Sequence, residues 1–128
     1  MIRRVINCDN YWKVVIYYNV DYNFFDIISN ELEDLGCTDD IIDILYYNLK
    51  KKAKAVTISK PARRRSVVLF NVHNSYYDYI NSIAHEAEHV KQSMLKYYRV
   101  KDDDEPPAYT IGFLVMKMIF FLNDLLKI

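Results

Sequence analysis

The sequence predicts an α+β domain, a small antiparallel or mixed sheet packed on helices. Three observations carry this expectation. Short runs rich in β-branched and aromatic residues stand apart from longer runs with a helical apolar period. Only two glycines occur in 128 residues, so long elements joined by short polar links are expected. No repeat or low-complexity linker divides the chain, and its length suits a single domain over residues 1–128.

The elements follow in order. Tyr11–Val20, YWKVVIYYNV, has the composition of a strand. From Asp21 the pattern changes to a helical period, with Phe24, Phe25, Ile28, Leu32 and Leu35 on one side and Gly36 placed to stop it. Thr38 or Asp39 can cap a second helix, DDIIDILYYNLKKKA. Its Ile41, Ile42, Leu45 and Leu49 make a buried stripe, and Lys50, Lys51 and Lys52 suit its C-terminal dipole. Two short β segments, Ala55–Ser59 and Ser66–His73, flank the polar link KPARRR. A long helix, Tyr76–Tyr98, precedes the acidic break VKDDDEPP and a final apolar helix within residues 108–126. The order read is β-α-α-β-β-α-α.

Bulk properties narrow the function. A formal net charge of zero removes any global electrostatic case for nucleic acid. The basic segments 50–54 and 63–65 keep nucleic-acid binding only as a weaker alternative. Lys117 interrupts the last apolar stretch, which falls short of the ~18–20 residues of a membrane span. That helix is expected to be buried or to pair with a second copy in a homodimer. Cys8 and Cys37 read as free thiols, and the N-terminus lacks an apolar run suited to a signal peptide, so a cytoplasmic location is expected.

The long helix contains SIAHEAEHVKQS, with H-E-x-x-H at 85–89. Residues i and i+4 of a helix share a face, so His85 and His89 can aim two imidazoles at one point, with Glu86 beside them. That pattern suits a zinc hydrolase, in which a carboxylate takes the proton of a metal-bound water. On the helical wheel Ile80, Ile83, Ala84, Ala87, Val90 and Met94 form an apolar arc nearly opposite the histidines. A third ligand is required. The candidates are His73, Asp102, Asp103, Asp104 and Glu105, of which the three aspartates suit a helix N-terminus. Tyr109, Tyr76 and Tyr77 are candidates for stabilising an oxyanion, and Tyr109, four residues past Glu105 and on its side, ranks first.

The run His85-Glu86-x-x-His89 followed by Glu105-x-x-Ala108-Tyr109 resembles the zincin metallopeptidases of gluzincin type. Arg64–Val68, Asn81–His89 and Asp104–Gly112 together resemble small, mostly uncharacterised zincin-like proteins of bacteriophages and gut Bacteroidetes. The resemblance implies a minimal zincin-like domain whose active-site helix is followed by an antiparallel, ligand-bearing helix. It implies one zinc ion per chain held by His85, His89 and Glu105, with Glu86 as general base and a peptide or protein as substrate. The cell would be bacterial or phage-infected. Ser66–His73 would be the edge strand that pairs with extended substrate. A zinc-bearing but inactive interaction protein is the alternative, because 128 residues leave little room for a second lobe.

Overall fold

The computed structural model describes residues 1–8, 11–100 and 105–127, with side chains from Thr110 onward in the last stretch. Four strands, β1 (Ile2–Cys8), β2 (Trp12–Tyr18), β3 (Ala55–Lys60) and β4 (Arg65–Phe70), form one mixed sheet in the order β1-β2-β4-β3. The central pair, β2 and β4, is parallel; each outer strand runs antiparallel to its neighbour. Helices α1 (Phe25–Leu35) and α2 (Asp39–Lys51) cover one face, and α3 (Tyr76–Tyr98) and α4 (Glu105–Leu126) the other.

Strand periodicity explains this layering. Successive side chains point to opposite faces, so a strand covered on both sides must be apolar throughout. In β2, Val14, Ile16 and Tyr18 join the α3–α4 core, while Val15 and Tyr17 join the α1–α2 core. In β4, Val68 and Phe70 divide from Val67 and Leu69 in the same way. All four are fully buried, each contributing roughly 1.5–3 kcal/mol of transfer free energy.

Helix ends follow local chemistry. Ser75 accepts a hydrogen bond from the Asp78 N–H at 3.1 Å and starts α3. Gly36 ends α1 with φ of 101°, a left-handed conformation that its missing Cβ makes cheap. The Arg63 guanidinium packs beside it and donates to the Asp34 carbonyl at 2.5 Å. α3 and α4 are antiparallel: the Tyr76 hydroxyl, at the start of one, donates to Asn123, near the end of the other, at 2.9 Å.

Several expectations change. The sequence reading lacks β1, which pairs with β2 along its whole length. Phe24 lies in a 3-10 turn and is 55% exposed, and Ile41 is 42% exposed, because α2 reaches the sheet through Ile42 and Leu49 instead. Ala84 is exposed as well. The expected substrate edge is misplaced: β4 is flanked by β2 and β3, and β3 is the outer strand. Cys8 and Cys37 are not joined in a disulfide. Among the described residues no helix is long and apolar enough to cross a membrane.

Candidate functional site

A groove of about 640 Å³ lies between β3 and α3. Thr57 and Ser59 line it from the strand; Ser82, His85, Glu86, His89, Gln92, Ser93 and Lys96 line it from the helix. The helical members recur at three- and four-residue spacing, so one polar stripe of α3 faces the strand while Ile83, Ala87 and Val90 face the core.

His85 and His89 stand as their spacing requires. Their Nε2 atoms are 3.1 Å apart, so one ring donates a hydrogen bond to the other. The His85 side chain is 70% exposed. Glu86 differs: only 4% of the residue is exposed, because it points toward β3 rather than along the wet face. Its Oε1 accepts from the Thr57 hydroxyl at 2.9 Å, and its Oε2 is 4.0 Å from His85 Nε2. That second distance exceeds a hydrogen bond and is one that a bridging water spans. Deeper in, the Ser59 and Ser66 hydroxyls meet at 2.6 Å, and the buried Trp12 indole donates to Ser66 at 2.9 Å. Polar groups on this face of the sheet are thereby satisfied.

His73 does not join this pair. His73 donates from Nδ1 to the Asn71 carbonyl at 2.6 Å, and its Nε2 accepts from the Ser82 hydroxyl at 2.7 Å. It also stacks on Tyr79, with ring centroids 4.4 Å apart, so it is a packing residue with both nitrogens engaged. Asp102, Asp103 and Asp104, and the side chains of Glu105 and Tyr109, lie outside the described residues; the backbone of Glu105 opens α4. The expectation of one zinc ion per chain is corrected. Among the described residues no group of three His, Cys, Asp or Glu side chains is placed to hold a metal ion. The physical reason is local: Glu86 is turned into its bond with Thr57 and His73 is locked against Asn71 and Ser82, leaving two imidazoles as the donor set among the described residues.

The basic segments form no single patch. Residues 50–54 and 63–65 lie at opposite ends of β3, about 17 Å apart at ~3.4 Å per residue. Lys54 pairs with Asp78 at 3.5 Å and Arg65 with Glu31 at 3.9 Å.

Two features of the site have no sequence motif. Thr57 is revealed only by its contact with Glu86. The outward edge of β3 follows from register: the Asn71 N–H donates to the Lys54 carbonyl, so 54, 56, 58 and 60 turn their main chain toward β4. Ala55, Thr57 and Ser59 therefore direct theirs away from the sheet, beside the groove. Comparison of the chain with protein-family models, curated proteins and solved structures finds no match.

Proposed function

We propose that the β3–α3 groove receives an extended peptide and that Glu86, with the histidine pair, hydrolyses it by acid–base chemistry. One observation carries the reading: a buried carboxylate with one oxygen fixed by Thr57 and the other turned to an imidazole, beside an open strand edge. The outward N–H and C=O groups of Ala55, Thr57 and Ser59 suit main-chain pairing with an added strand. The resemblance of His85–His89 and Glu105–Tyr109 to zincin metallopeptidases supports a peptide as substrate.

In this mechanism a water between Glu86 Oε2 and the imidazoles gives its proton to the carboxylate as its oxygen bonds the scissile carbonyl carbon. An imidazole N–H of the pair faces the oxyanion that forms. Glu86 then delivers the proton to the amine nitrogen as the C–N bond breaks, leaving a carboxylic acid and an amine. The test is cleavage of a fluorogenic heptapeptide library by wild-type protein and by Glu86→Gln. Turnover should fall by about 10²-fold or more while peptide affinity is kept. Equal cleavage by the two proteins would remove Glu86 from the chemistry.

A second reading, peptide docking without turnover, is favoured by the Thr57 bond itself, since a carboxylate fastening α3 to β3 also serves as a structural tie. Wild-type protein that binds the library and cleaves none of it would establish this alternative.

A further inference from the structure

The groove is not electrically uniform along its length, and this deepens the reading just given, on which it rests. α3 and β3 run in the same direction. Lys54, just before β3, pairs with Asp78 in the first turn of α3, and Thr57 bonds Glu86 further along both elements. Lys96 lies beyond, lining the groove seven residues past His89 on the same helical stripe. The cation at the near end is partly neutralised by Asp78. Lys96 is exposed, and among the described residues it has no ion-pair partner.

We propose that the groove selects extended peptides carrying an acidic side chain, received by Lys96. Spacing fixes where that residue falls. Seven helical residues span about 10 Å, and an extended chain covers that in three residues at ~3.4 Å each. The carboxylate therefore belongs about three positions from the residue lying over His89 and about four from the one lying over Glu86, ten helical residues from Lys96. A peptide suits this better than a nucleic-acid strand, because the facing wall offers strand-type main-chain donors and acceptors rather than stacking rings.

Fluorescence anisotropy on the full chain tests this, using labelled uncharged heptapeptides with Glu or Lys placed at each position in turn. At low salt the Glu peptide of favoured register should bind roughly fivefold tighter than its Lys counterpart, with the gap closing as salt rises. Lys96→Glu should reverse the preference and Lys96→Met abolish it, with circular dichroism unchanged. Equal binding of Glu and Lys peptides by the wild type overturns the selectivity while strand addition stands. A preference that persists in Lys96→Met overturns it too. Binding of no peptide removes both the docking reading and this inference, and so does tighter binding of a single-stranded oligonucleotide than of any peptide.

Discussion

Two largely buried carboxylates sit on opposite faces of the sheet, and the protein treats them oppositely. Glu31 of α1 accepts from the Arg3 guanidinium and from the Tyr17 hydroxyl, both at 2.8 Å, and Arg65 approaches at 3.9 Å. Glu86 of α3 has one hydroxyl, from Thr57, and an imidazole 4.0 Å away. Burial alone raises the Glu31 carboxyl, yet the Arg3 and Tyr17 hydrogen bonds and the Arg3 and Arg65 charges outweigh it, and its pKa is lowered. Burial and the same carboxylate push the Tyr17 phenol up to about 12. A carboxylate satisfied by two cations and a phenol is committed to holding β1, β2 and β4 against α1. Both acids take their hydrogen bonds on Oε1, so the difference lies in the partners: Glu31 Oε2 faces the Arg65 cation, whereas Glu86 Oε2 faces an imidazole and, in the mechanism proposed above, takes the proton of water. Burial by itself does not separate a structural acid from a reactive one; the number and charge of its partners does.

Substitutions can break this contrast, and the largest effect is expected where chemistry is at stake. Glu86→Gln should lose turnover by the two or more orders of magnitude given above and cost little stability, since the amide oxygen still accepts from Thr57. Glu31→Gln should do the reverse, leaving peptide cleavage intact while destabilising the fold by about 2 kcal/mol in urea unfolding, discounted for the exposure of Arg3. A smaller loss, about 1 kcal/mol, is expected for Thr57→Val, which keeps the volume but strands one Glu86 oxygen. That variant should also slow cleavage, and an unchanged rate would show that Thr57 does not position Glu86. The subtlest effect is in pH. The folded-state pKa of Glu31 lies below its unfolded value, so its stabilisation is fully present above the unfolded carboxyl range. It is lost as pH falls through the folded pKa. The Tm difference between wild type and Glu31→Gln should thus be constant near neutrality and shrink in acid.

What the sequence discloses follows the range of the interactions involved. α3 is legible from end to end, because its apolar period and the Ser75 cap act within a few residues. The histidine pair is legible for the same reason. β1 is hidden because Arg3 and Arg4 interrupt its apolar pattern, and their partners, Glu31 and Asp124, are 28 and 120 residues away. The burial of Glu86 is equally non-local, since it depends on β3 crossing in front of α3. A helical wheel places Glu86 next to His85 and cannot show that a strand covers one and not the other.

The outer position of β3 carries a cost as well as a use. An open strand edge is a template on which identical chains can stack, and soluble proteins blunt such edges with lysine and proline. Here Lys54 precedes β3, Lys60 ends it, and Pro61 follows at once, so a growing ladder meets charge at both ends and a missing N–H at one. Only three residues, 55, 57 and 59, are left to pair with an incoming chain. An edge so short offers an added strand few main-chain bonds, which favours a brief visitor over a permanent neighbour.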